Sequence, residues 1–189
     1  GTFSDPSVLK YMATNATVDI KLLSNINIAK TELATGYILN AANATANLNL
    51  NGHDIINSSE TADATPFTQI FTVQNGTLNI SGNGNVKCDA SATAKDYGYR
   101  KINQARGHRT VNLHGGSYYN TQKLNTQIDL IYARENGKIN IYGGTFESGQ
   151  YGTPNNDTDG RYWVLNLKNT DKNTASIQVS GGTFINFNP

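Results

Sequence analysis

Apolar and polar residues alternate in short stretches that recur along the whole chain. Val18-Asp19-Ile20, Leu48-Asn49-Leu50-Asn51-Gly52, Leu78-Asn79-Ile80-Ser81-Gly82, Val111-Asn112-Leu113-His114-Gly115, Ile139-Asn140-Ile141-Tyr142-Gly143 and Ile177-Gln178-Val179-Ser180-Gly181 share an apolar, polar, apolar core. Five of the six close with a polar residue and glycine, and the steps between their last apolar residues are 30, 30, 33, 28 and 38 residues. An apolar spacing of two is strand periodicity. A repeat of this length implies stacked, solenoid-like units. Between the units lie further apolar runs, Tyr37-Ile38-Leu39, Ile70-Phe71-Thr72-Val73, Ile128-Asp129-Leu130-Ile131 and Trp163-Val164-Leu165-Asn166-Leu167, separated by Asn, Gly, Thr and Ser. Such runs and turn residues predict about three strands per coil.

Coils pairing in parallel about 4.8 Å apart would stack Leu50, Ile80, Leu113, Ile141 and Val179 inside. Each buried side chain of this kind is worth roughly 1.5–3 kcal/mol. Asn49, Asn79, Asn112, Asn140 and Gln178 would then point outward in one column, with Asn51, Ser81, His114, Tyr142 and Ser180 in a parallel one. Helical and leucine-rich repeats would need charged amphipathic helices, which this chain lacks. Ser4 or Asp5 before Pro6 reads as a helix N-cap, with Val8, Leu9 and Met12 on one side. Residues 5–13 are therefore expected to form a short helix over the open first coil, where an exposed edge would invite strand pairing. The whole chain, 1–189, reads as one domain, with 1–15 as cap and 16–189 as coils. Its last residues, Asn186 to Pro189, show no polar cap and suggest a segment of a longer protein.

Leu48-Asn49-Leu50-Asn51-Gly52-His53-Asp54-Ile55 resembles the LDLNGHTI coil of bacterial right-handed parallel β-helix proteins of the pectate-lyase-like superfamily. Gly115-Gly116-Ser117-Tyr118, Gly143-Gly144-Thr145-Phe146 and Gly181-Gly182-Thr183-Phe184 resemble the GGTF turns of the same class. The resemblance covers roughly residues 16–189 and implies an all-β, right-handed parallel β-helix of about six coils. It implies little about activity, since lyases, glycosidases, phage tailspikes and adhesins share these coils.

Composition narrows the setting. Charged residues make up 15% of the chain and the formal net charge is +1, which argues against nucleic acid as a partner. No signal peptide or membrane span is evident. The single cysteine, Cys88, rules out an internal disulfide and is expected to pack as a small buried residue. An extracellular, cell-surface or virion location fits a chain rich in Asn, Thr and Gly.

Three places could carry chemistry. The outward amide and hydroxyl columns can exchange hydrogen bonds with sugar hydroxyls, and Tyr142 with Tyr118 or Tyr119 could stack on pyranose faces. The segment from Asp89 to Arg109 interleaves tyrosines and bases: Tyr97, Tyr99, Arg100, Arg106 and Arg109, with His114 nearby in the next unit, suit an acidic saccharide. Asn155, Asp157, Asp159 and Gly160 match the first half of a calcium loop, but Asn166 stands where the bidentate Glu should be, so Ca2+ is the one cofactor the sequence offers a loop for. Catalytic signals are sparse. Asn169-Thr170-Asp171 alone resembles a polygalacturonase motif, and Asp129, Arg134, Glu135 and Glu147 are not grouped by their spacing. Trp163 shares a strand phase with Leu165 and Leu167 and is expected in the core. These readings lead to a non-catalytic secreted or surface carbohydrate-binding or adhesive module whose partner is a polysaccharide or surface glycan. The alternatives are a polysaccharide lyase or glycoside hydrolase, and a structural or receptor-binding segment of a phage tail protein, which would be a trimer.

Overall fold

The structure is a computed structural model that describes residues 1–28, 36–57, 67–88, 99–105, 109–120, 128–148, 162–171 and 174–185. Its strands are β1 (Thr2–Phe3), β2 (Thr17–Lys21), β3 (Ile26–Asn27), β4 (Tyr37–Asn49), β5 (Ile55–Asn57), β6 (Phe67–Ser81), β7 (Asn85–Cys88) and β8 (Tyr99–Ala105). They continue with β9 (Arg109–Leu113), β10 (Ser117–Asn120), β11 (Ile128–Ala133), β12 (Gly137–Ile141), β13 (Thr145–Ser148), β14 (Tyr162–Leu167), β15 (Ser176–Val179) and β16 (Thr183–Ile185). Every pairing between them is parallel. The chain is therefore an all-β parallel β-helix, as the repeat predicts.

Three columns of strands form its walls. The first runs β2, the second half of β4, the second half of β6, β9, β12 and β15. The second runs β3, β5, β7, β10, β13 and β16. The third runs the first half of β4, the first half of β6, β8, β11 and β14. Strands β4 and β6 pass through the corner between the third and first columns. Left-handed backbone at Asn43 (φ 54°) and Gly76 (φ 95°) makes that corner, a conformation asparagine and glycine tolerate best.

Register in the first column places Ile20, Leu48, Ile80, Leu113, Ile141 and Val179 on one another. This corrects the sequence alignment by one alternation in the second unit: Leu48, not Leu50, lies in that file. Leu50 is still buried, but at the corner beyond the strand, and Asn51 is a left-handed turn residue (φ 50°) rather than the outward neighbour of Ser81. The alternation Ala46-Asn47-Leu48-Asn49-Leu50 offers the same pattern in either register, so the repeat could not choose between them. Val179 is a second correction, being 47% exposed, since among the described residues β15 pairs only with β12.

Inside, Leu48, Ile80, Leu113 and Ile141 are buried, and the second column stacks rings: Tyr118 on Phe146 at 5.0 Å and Phe146 on Phe184 at 5.1 Å between centroids. The glycine pair ahead of each ring is required by geometry. Gly144 sits at φ 105°, and a Cβ there would lie 2.9 Å from the Gly116 carbonyl oxygen. The first coil is covered as expected. A 3₁₀ helix, Pro6–Tyr11, is capped by Asp5, whose carboxylate accepts from the Ser7 N–H at 2.7 Å, and it buries Leu9. Trp163 departs from expectation: it is half-buried, while Val164 is 3% exposed and takes the core position. Pairing of β11 with β14 keeps one offset, Asp129 with Trp163 and Ile131 with Leu165, which sets Val164 opposite the buried Leu130.

Outside the first column the amides form a ladder. Asn47 Nδ2 donates to Asp19 Oδ1 (2.9 Å), Asn79 to Asn47 (2.7 Å), Asn112 to Asn79 (2.8 Å) and Asn140 to Asn112 (2.8 Å). Each bond is made only in the observed register, so the ladder fixes which coil residue meets which. Two outcomes follow. Ile80→Asp buries an unpaired carboxylate and will prevent folding or cost several kcal/mol. Asn112→Ala removes two ladder bonds and will lower unfolding free energy in urea by about 1–2 kcal/mol without loss of the β signal in circular dichroism.

Candidate functional site

The file next to the amide ladder carries two exposed aromatic rings on adjacent rungs. Lys21, Asn49, Ser81, His114, Tyr142 and Ser180 follow one another there, each one residue past the buried file. His114 is exposed, Tyr142 is 51% exposed, and their rings stack with centroids 4.8 Å apart and planes 10° from parallel. That separation equals the rung spacing, so the pair stacks along the helix axis. Each ring turns one face to the other and keeps one face over. The flanking rungs hold serines, too small to cover a ring. Ser81 Oγ donates to the Leu48 carbonyl (3.4 Å) and Ser180 Oγ to the Ile141 carbonyl (3.3 Å), so both hydroxyls turn back onto the preceding rung. The outer faces of His114 and Tyr142 thus look onto the Ser81 and Ser180 rungs, which carry Asn79 and Gln178 in the ladder file.

The other expected ligand residues are placed elsewhere. Tyr118 is not on the surface: it is fully buried, stacked on Phe146, and its hydroxyl donates to the Gly115 carbonyl at 2.8 Å. Burial pushes that hydroxyl's pKa up, so it remains a neutral donor. The glycine corner resets the alternation, which turns the aromatic residue of each GGTF-like turn inward. Tyr119 points outward on the second column, with Lys87 Nζ 5.6 Å from its ring centroid and Glu147 in register on the other side. Arg109 begins β9, five residues before His114 and roughly 16 Å away along the strand, and it is half-buried with the parity of Val111 and Leu113. It does not join the ring pair. Tyr99 and Arg100 lie on β8, in register with Phe67 and Thr68 of β6, on the third column. Tyr97 and Arg106 lie outside the described residues, as do the side chain of Cys88 and the calcium-loop residues Asn155, Asp157 and Asp159. Among the described residues no group of three His, Cys, Asp or Glu is placed to hold a metal ion, and no helix is long and apolar enough to cross a membrane.

The carboxylates that could have served acid–base chemistry bind the scaffold. Asp171 ends a 3₁₀ turn, Asn169–Asp171, and its Oδ2 accepts from the Glu135 N–H at 2.8 Å. Glu135 is left-handed (φ 56°), and its side chain pairs with Arg134 at 2.7 Å. The Glu135 N–H bond, helped by Thr170, Lys168 and Arg134, holds the Asp171 carboxyl below its ordinary pKa. Asp129 is fully buried on the third column and accepts from Asn166 Nδ2 at 2.7 Å. It belongs to a covered polar row with Gln69 and Thr72, whose hydroxyl donates to the Gln69 amide oxygen. Nothing in the alternation announces that row, since Gln69 and Thr72, which bond to each other, are three residues apart.

Comparison of the chain with protein-family models, with curated proteins and with solved structures finds no match in any of the three. The candidate site therefore rests on its own geometry.

Two measurements probe these assignments. The depressed pKa of Asp171 means that its carboxylate stabilises the fold above the ordinary aspartate range and loses that effect as pH falls through its folded value. Asp171→Asn will therefore melt lower than the parent at pH 7, and the gap will close in acid. Tyr118→Phe keeps the ring stack and loses one hydrogen bond, a cost of about 1 kcal/mol in urea unfolding.

Proposed function

We propose that this chain is a non-catalytic carbohydrate-binding or adhesive module of an extracellular, cell-surface or virion protein, and that it takes a glycan at the His114–Tyr142 pair. The observation that carries the reading is the stacked, exposed ring pair with both outer faces bordered by serines. A pyranose presents an apolar C–H face and a hydroxylated rim. An aromatic face takes the former, and the amides of Asn112 and Asn140, each with donor and acceptor capacity beyond its ladder bonds, take the latter. The LDLNGHTI-like and GGTF-like turns resemble those of pectate-lyase-like β-helices, and that resemblance supports the reading.

The test is a glycan array probed with the wild type and with His114→Ala and Tyr142→Ala variants. Each single change should weaken binding of the captured glycan at least about threefold, and the double variant more, at unchanged melting temperature. Ring–sugar stacking and hydrogen bonds to neutral amides are not screened by salt, so affinity should change little between low and high salt. Binding that survives the double variant, or an array with no captured glycan, overturns the proposal.

A further inference from the structure

The outer face of the first column carries a third file that the two-residue alternation in the units did not reveal. Thr17, Thr45, Thr77 and Thr110 stand in register on successive rungs, followed by Lys138 and Ser176. Each threonine lies two residues before its rung of the amide ladder, about 6.6 Å along the strand. The amides are engaged with one another, whereas none of the four threonine hydroxyls makes a hydrogen bond within the described protein. Threonine is stiff at χ1, so these hydroxyls form a comb whose teeth are about 4.8 Å apart and already ordered. The face they occupy is uncharged over the middle rungs, at Thr45, Asn47, Thr77, Asn79, Thr110 and Asn112, with charge at Asp19 and Lys138 toward either end.

We infer that this comb is a track for an extended, uncharged polysaccharide chain lying along the helix axis, one sugar to a rung, alongside the His114–Tyr142 pair. The inference rests on the glycan-binding reading above and goes further in naming the ligand's shape, linkage and charge. A file that repeats only along the axis fits a ligand that repeats along its own length. A β-1,4-linked pyranose chain is straight and advances by nearly one rung per sugar, presenting hydroxyls at each step. An α-1,4-linked chain coils away from a straight comb. A charged chain would leave its carboxylates or sulfates facing hydroxyls and amides with no cation beside them in the middle rungs.

The experiment uses affinity electrophoresis of the whole chain in gels holding hydroxyethylcellulose, xylan or galactomannan, against soluble starch, dextran and polygalacturonate. Titration then follows with oligomers of two to eight sugars from the polymer that retards it most. The expected result is retardation by a β-1,4-linked neutral polymer and affinity that climbs with length up to about the rungs of the comb. In Thr77→Val plus Thr110→Val, which keeps side-chain shape and strand preference, the longer oligomers should bind about tenfold more weakly while the disaccharide is unaffected. If the valine variant leaves the length dependence intact while Tyr142→Ala still weakens every oligomer, the track is wrong and the ring-pair site stands. Equal retardation by the α-linked or acidic polymers also overturns the track. No retardation in any gel, together with an array that captures no glycan, overturns both.

Discussion

Parallel pairing sets each residue directly over its equivalent one coil away, and this vertical neighbour governs almost everything else in the molecule. A single spacing of about 4.8 Å has to suit very different groups. Aliphatic side chains meet it by interdigitating, as Leu48, Ile80, Leu113 and Ile141 do inside the first column. Rings meet it by stacking near 5 Å, inside as Tyr118, Phe146 and Phe184 and outside as His114 and Tyr142. Amides meet it by bridging rung to rung, with Nδ2 to Oδ1 distances of 2.7 to 2.9 Å from Asp19 to Asn140. The unit of stability is consequently the file and not the single side chain, and the proposed glycan site is built from the same files.

The same constraint explains what the sequence disclosed. Alternation with a fixed long repeat leaves few architectures other than stacked coils, so the fold, the capping helix and the inward Ile80, Leu113 and Ile141 were legible. Register was legible only where the alternation ends abruptly. In Ala46-Asn47-Leu48-Asn49-Leu50 it runs on, and the amide ladder, a tertiary contact, selects Leu48 and Asn47. Tyr118 was misplaced because strand parity cannot be carried across a glycine corner. Val179 was misplaced because pattern reports which face a residue occupies and not whether a further strand covers it.

The candidate site was half legible for related reasons. His114 and Tyr142 share a column in the sequence alignment, and the structure keeps them there. That the rings stack on each other, leaving outer faces over serines, depends on side-chain direction that composition does not encode. The basic, tyrosine-rich segment attracted attention by its residue types alone, yet Arg109 has the parity of the core and stands a strand's length from the ring pair. Likewise Asn169-Thr170-Asp171 looks chemical as a tripeptide and is structural in place: its carboxylate holds the left-handed Glu135 corner. A charged group in a coil is as readily recruited to hold a corner as to meet a ligand, and only its partners distinguish the two.

Coil length varies in this chain without disturbing the face that matters. Ladder partners are separated by 28, 32, 33 and 28 residues on successive rungs, yet each amide reaches the next with nearly the same bond length. The extra residues leave and rejoin at other corners, while hydrogen bonds across rungs hold the first column in step. A surface built this way is ordered before any ligand arrives, so little conformational entropy remains to be lost on binding. It also sums weak contacts. One sugar hydroxyl meeting one threonine or amide gains little over water, but a chain held at one rung presents its next sugar to the next rung at high effective concentration. On the proposed reading, specificity on such a face comes from the match of two periods, that of the ligand and that of the β-helix, and needs no deep pocket.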